Sequence, residues 1–157
     1  MQVQQIMTTN VTACPAGTNL ACVVELLWNA DVGALPVVDT EGALVGIITD
    51  RDIAIALGTR NIPASQMLVD DVMTREVWTC RPTDSITDVM RLMGDAHVRR
   101  IPVTGEQNKL CGIVSLNNIA LHPGINKKLV SDSDILATLL TICAPKLERM
   151  YVGAASE

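Results

Sequence analysis

The sequence predicts a mixed α/β (α+β) fold: two strand–helix–strand–strand–helix units packed sheet to sheet, followed by one further helix. Three observations lead there. First, the chain is written twice. At an offset of 66 residues, Met7-Thr8 recurs as Met73-Thr74, Val11 as Val77, Cys14 as Cys80 and Pro36-Val37 as Pro102-Val103; Leu44 recurs as Leu110, Gly46-Ile47 as Gly112-Ile113 and Ile53-Ala54 as Ile119-Ala120. Second, within each copy short apolar runs bounded by turn residues alternate with stretches whose apolar residues recur every three or four positions, the periods of strand and helix. Third, each copy has roughly 55 residues and almost no aromatic ones, too little for a stable core alone, so the two are expected to bury their sheets together.

In the first copy, Val11 to Ala13 reads as a short extended segment. Thr18 or Asn19 stands where it can cap a helix through Leu20, Val23, Val24, Leu27 and Ala30. Ala34 to Val38 reads as a strand, Asp39-Thr40-Glu41-Gly42 as a turn and Leu44 to Ile48 as a return strand, its near-continuous apolar run pointing to burial on both faces. Thr49 starts a helix through Asp52, Ile53, Ile55 and Leu57. Gly58 to Pro63 is a connector, and Ser65 to Val72 is expected to be a short helix.

The second copy repeats the order: a helix from Ser85 to Met93, a strand at Ile101-Pro102-Val103, a polar turn from Glu106 to Lys109, a strand from Leu110 to Val114 and a helix from Ser115 to Leu121. Pro36 and Pro102 cannot donate to a ladder, so both strands must have a free side there. After His122-Pro123-Gly124 the repeat ends. Ser131-Asp132-Ser133-Asp134 caps a separate helix, Ile135 to Cys143, stopped by Pro145, and Tyr151 to Glu157 reads as a loose tail. The units are therefore 1–60, 61–124 and 125–157.

Composition narrows the function. The net charge of −5 argues against nucleic-acid binding, which needs a basic surface. No apolar run approaches the roughly 18 residues of a membrane span, and the start lacks the regions of a signal peptide, so a cytoplasmic protein without membrane contact is expected. The five cysteines form no C-x-x-C pair and read as buried reduced thiols, with Cys14 and Cys80 packed between the units; no metal site is expected. There is no phosphate-binding loop, dinucleotide fingerprint or nucleophile–base set, so the chain is not read as an enzyme.

The informative stretch is Gly46-Ile47-Ile48-Thr49-Asp50-Arg51-Asp52. It places a hydroxyl and a carboxylate at a helix start, where unpaired N–H groups and the dipole favour an anion or polar ligand. A carboxylate there can accept hydrogen bonds from the two hydroxyls of a ribose. The same Thr-x-x-Asp is also a capping pattern, and both readings stand at this point.

Two units carrying Met-Thr, then Leu-Pro-Val-Val-Asp or Ile-Pro-Val, then Gly-Ile-Ile-Thr-x-x-Asp, resemble a tandem pair of cystathionine-β-synthase (CBS) domains, the Bateman module, over roughly Ile6 to Leu121. The resemblance implies a pseudo-two-fold axis and clefts that bind adenosine-containing ligands such as AMP, ADP, ATP or S-adenosylmethionine, with no obligate cofactor. It puts the ribose at Thr49 and Asp52, the adenine against Thr74, Val77 and Trp78, and the phosphates at Val98, Arg99 and Arg100. The second cleft would use Ser115 and Asn118 with Thr8, Thr12, Val32 and Gly33. There the family's Asp is an Asn, and Gly33 and Ala34 replace the arginines, so one strong site per chain is expected, at the first cleft.

Plainer readings stand beside these: Arg99 and Arg100 solvating a strand edge near Asp95 and Glu106, His97 doing the same, Trp78 in the core or at a subunit contact, and Asp50 and Arg51 facing solvent or a partner subunit. Trp28, where its counterpart is Gly94, reads as an interface residue. The resemblance further implies a homodimer, often a flat disc of four units. The function expected is a regulatory sensor acting on a separate, unnamed protein target. The alternative is an interaction module with non-binding clefts, and a small nucleotide hydrolase using Asp52 and Arg100 ranks last.

Overall fold

The computed structural model describes residues 1–123 and 130–145. The expected tail at Tyr151 to Glu157 lies outside them. The first unit contains β1 (Cys14–Pro15), α1 (Leu20–Ala30), β2 (Ala34–Val38), β3 (Leu44–Thr49) and α2 (Asp50–Arg60). The second contains α3 (Ile86–Ala96), β4 (Arg100–Thr104), β5 (Leu110–Ser115) and α4 (Leu116–Leu121), and α5 (Asp132–Cys143) follows. No described helix is long and apolar enough to cross a membrane.

Side-chain caps set the helix starts. The carbonyl of the Asn19 side chain accepts from Cys22 N at 3.1 Å, and the Ser85 hydroxyl accepts from Asp88 N at 3.2 Å. Thr49 with Asp52, Ser115 with Asn118 and Ser131 with Asp134 form reciprocal capping boxes. Both long first helices end on a left-handed residue at the same place in the repeat, Asp31 (φ 52°) and His97 (φ 54°). α2 runs on to Arg60 and closes at left-handed Asn61, so the connector starts later than Gly58.

β2 and β3 pair antiparallel, as do β4 and β5, with matching registers: Pro36 faces Ile47, and Pro102 faces Ile113. β1 runs parallel to β2 but reaches only Val37 and Val38. Pro36 lies just past its end, which is the free side that proline needs. In the second unit the parallel contact shrinks to the Cys80–Val103 bridge. β3 alternates buried Leu44, Gly46 and Ile48 with half-buried Val45, Ile47 and Thr49. The second face is only half-buried: Val45 packs against the first core, while Ile47 and Thr49 line a cleft.

The two cores exchange leading segments. Val3 and Ile6 pack with Ile86, Val89, Met93, Ile101 and Ile119 of the second unit, while Met67, Val69 and Met73 pack with Leu20, Leu35, Ile48 and Ile53 of the first. The helix expected over Ser65 to Val72 is instead two short 3-10 turns, Ala64–Gln66 and Val69–Asp71. Its backbone is used elsewhere: Leu20 N donates to Met67 O and Val69 N donates to Thr18 O. Cys14 and Cys80 belong to different cores, not to the space between units, because each sits on the short strand against Val37 or Val103. The sheets meet where Leu110 N donates to Gly42 O and the Asn108 amide donates to Leu44 O at 2.8 Å.

Candidate ligand-binding cleft

At the junction of the units lies a cleft of about 830 Å³, and four walls enclose it. The first is the β3–α2 junction. Thr49 N and Thr49 Oγ1 both donate to Asp52 Oδ2, at 3.0 and 2.6 Å, and Asp52 N donates to Thr49 Oγ1 at 3.2 Å. Capping therefore occupies one oxygen of Asp52 and leaves Oδ1 without a hydrogen-bond partner among the described residues. The capping and ligand readings of this motif are compatible, since they use different atoms.

The second wall is the segment entering the second unit, with Thr74, Glu76, Val77 and Trp78. Thr74 is held on the edge of β3 by paired backbone hydrogen bonds with Ile47, each 2.9 Å. Gly46 permits this approach: a Cβ there would overlap Met73 Sδ and lie 3.1 Å from Thr74 O. Trp78 is 58% exposed and lines the cleft, so it is not a core residue.

The third wall is the end of α3. Left-handed His97 closes the helix, with His97 N bonded to Gly94 O and Val98 N to Met93 O, and turns Val98, Arg99 and Arg100 into the cleft. The fourth is the last turn of α5: Ile142 and Ala144 line the cleft, and His97 Nδ1 lies 3.3 Å from Ile142 O.

All eight residues expected at the first cleft line this one cavity. Asp50 and Arg51, expected to face solvent or a partner, line it too, because they open α2 at its rim. Gly33, expected at the second cleft, also lines the first: Ala34 pairs with Thr49, which carries Gly33 to the start of α2, where Asp50 N donates to Gly33 O. Val32 instead lines a groove between α1 and α2 beside Trp28.

Charge around the cleft is mixed: Arg51, Arg99 and Arg100 line it together with Asp50, Asp52 and Glu76. The other arginines among the described residues are engaged: Arg60 donates to Asp71 O, Arg75 to Asp70 O and Arg81 to Gly105 O, and Arg91 pairs with Asp88. The three at the cleft make no side-chain hydrogen bond or salt bridge among the described residues. In particular, Arg99 and Arg100 are not paired with Asp95 or Glu106.

In the second cleft the ends are tied together. Ser115 N and Oγ donate to Asn118 Oδ1 at 2.9 and 2.7 Å, and Asn118 Nδ2 donates to Thr8 Oγ1 at 3.3 Å. The amide oxygen and one of the two amide N–H groups are thus engaged, and Thr12 stands exposed.

Glu76 was missed as a site residue although it is next but one to Trp78. Ile142 and Ala144 were missed because they lie outside the repeat, where no second copy points to them.

A family model described as CBS domain matches residues 3–59 and 69–122. This chain belongs to the CBS domain family. It is 35% identical over 128 residues to the Bacillus subtilis protein YlbB, covering 81% of this chain and 85% of that one. Among solved structures, the CBS domain pair of protein MJ0100, in complex with 5-methylthioadenosine and S-adenosyl-L-methionine, superposes with a TM-score of 0.69 at 27% identity, covering 76% of this chain and 93% of that one. CBSX2 in complex with AMP superposes with a TM-score of 0.67 at 29% identity, again covering 76% and 93%. The two CBS matches contain the first three walls of the cleft, while α5 lies beyond both.

Proposed function

We propose that this chain is a regulatory CBS pair that binds an adenosine nucleotide, AMP, ADP or ATP, in the first cleft and signals to a separate protein target. Asp52 Oδ1 accepts the ribose hydroxyls, Trp78 and Val77 cover the base, and Arg99 and Arg100, with Arg51 at the rim, take the phosphate. The observation that carries this reading is the set of three unengaged guanidiniums around one cavity that also holds an unpartnered carboxylate oxygen. A planar guanidinium bonds phosphate through two parallel N–H groups. Bound AMP in CBSX2, a relative of the same family, supports the ligand class.

The second cleft is the weaker one, because Asn118 spends its amide on Thr8 and no cation stands at the places of Arg99 and Arg100. Titration calorimetry is expected to give one strong site per chain. Asp52→Asn keeps an oxygen for the cap and removes the charge, and it is expected to weaken binding tenfold or more, about 1.4 kcal/mol. Two equal sites, or unchanged affinity in Asp52→Asn, would refute the assignment.

A second reading, an interaction module whose clefts are empty, draws on the exposed face around Trp28, which is 83% accessible. It expects no thermal shift with AMP, ADP, ATP or S-adenosylmethionine. A nucleotide at 100 times its Kd would add about 2.7 kcal/mol of stability.

A further inference from the structure

We propose that α5 is part of the binding site, and that its seating on α3 is coupled to ligand occupancy. The inference rests on the cleft being the nucleotide site. Ile142 and Ala144 line the cavity at the side of His97, the residue whose left-handed turn delivers Val98, Arg99 and Arg100. The contact between His97 Nδ1 and Ile142 O ties the two elements at that point. A ligand on Arg99 and Arg100 therefore touches a wall built jointly by both units and α5.

The seat itself is shallow. Ile135, Thr138 and Ile142, one stripe of the helix, are half-buried, and no residue of α5 is fully buried. A helix of 12 residues is marginal in water by itself, so its order depends on this docking. Close approach is allowed by Gly94, whose added Cβ would already stand 3.4 Å from Thr141 Cγ2. The equivalent residue in the first unit is Trp28, and among the described residues no comparable helix lies on α1 at that point. When a ligand contacts residues that only the docked helix supplies, binding and docking must stabilise each other equally.

Three variants and two readouts test this. Gly94→Trp copies the first unit's residue and forces α5 off α3. Ile142→Asp places a charge on the half-buried docking stripe and on the cleft wall. Leu140→Asp alters the exposed side of the same helix and serves as control. Circular dichroism and a melting scan establish that each variant keeps the two-unit fold. The probe is whichever of AMP, ADP, ATP and S-adenosylmethionine shifts the melting of the unaltered protein most. Calorimetry with that probe is expected to show a loss of roughly fivefold or more in both Gly94→Trp and Ile142→Asp, and none in Leu140→Asp. Hydrogen exchange of the 135–143 amides in the unaltered protein is expected to slow several-fold at saturating probe. Binding retained in both variants, with α5 exchange unchanged by the probe, would overturn the coupling and leave the cleft assignment standing. If the unaltered protein binds none of the four compounds, the cleft assignment falls and this inference falls with it. If Gly94→Trp does not fold, Ile142→Asp and the exchange measurement decide.

Discussion

Asp52 and Asn118 stand at equivalent helix starts, with one carboxylate oxygen exchanged for an amide nitrogen, and that exchange decides what each cleft can hold. Each uses one oxygen to cap its helix. The remaining Asp52 oxygen is an acceptor on a cleft-lining residue, whereas the Asn118 nitrogen is a donor with one of its N–H groups given to Thr8. Cys80 shows the opposite use of a polar atom, burial without partners for the charged form. Burial, followed by the nearby charge of Asp84, pushes its thiol from 9.0 up to about 12. Between those values the unfolded chain releases a proton that the native state retains, so this residue's contribution to stability falls as pH rises above 9.0. Below pH 9 the native thiol is protonated and inaccessible. At pH 8 a thiol reagent is therefore expected to modify exposed Cys22 and Cys143 in the native protein and to reach Cys80 only after denaturation. Rapid native labelling of Cys80, read by peptide mass spectrometry, would contradict its place in the second core.

At the scale of elements, the cleft depends on backbone approaches more than on any catalytic-looking side chain. One is at Gly46, where Met73 and Thr74 lie against β3, and its repeat is Gly112, whose added Cβ would stand 2.8 Å from Thr8 O. Gly46→Ala must displace the Met73 side chain and move Thr74 O, 3.1 Å from the added Cβ, by a few tenths of an ångström. Its expected cost is 1–3 kcal/mol, about the range for overpacking a core, together with weakened nucleotide binding as Thr74, Val77 and Trp78 retreat. A melting scan paired with calorimetry checks both, and native stability in Gly46→Ala would show that the approach is not required.

The duplicated glycine, the duplicated Pro-Val step and the hydroxyl-x-x-Asp/Asn helix starts were all legible in the sequence, because each is a local rule stated twice. The 65–72 segment was not legible. Its spacing fits a helix, but the backbone of Met67 and Val69 is claimed by α1, a long-range pairing that no local pattern encodes. The place of α5 was hidden for the same reason: its caps at Ser131 and Asp134 are visible in the sequence, but its seat against Gly94 is not.

Across the whole molecule, the pseudo-symmetry is broken on the helical surface. In the second unit, α5 covers α3 at Gly94. In the first, the corresponding face of α1 and α2 is bare and apolar, with Val24, Trp28, Ala54 and Leu57 around a groove. An exposed tryptophan at the centre of such a face costs solubility unless something covers it. We propose that a second copy of the chain covers it, through an isologous contact in which each Trp28 enters the partner's groove. In this proposal the contact uses the first unit alone, because α5 stands against α3 and α4 in the second. Trp28→Glu is then expected to convert the dimer to a folded monomer, because a side chain 83% exposed contributes little to its own core. Light scattering after size exclusion reads the mass directly. The cleft lies within one chain, so Trp28→Glu is expected to bind nucleotide with nearly the affinity of the unaltered protein. Loss of binding together with the dimer would mean that the partner completes the site, and an unchanged mass would mean that α1 and α2 are not the contact.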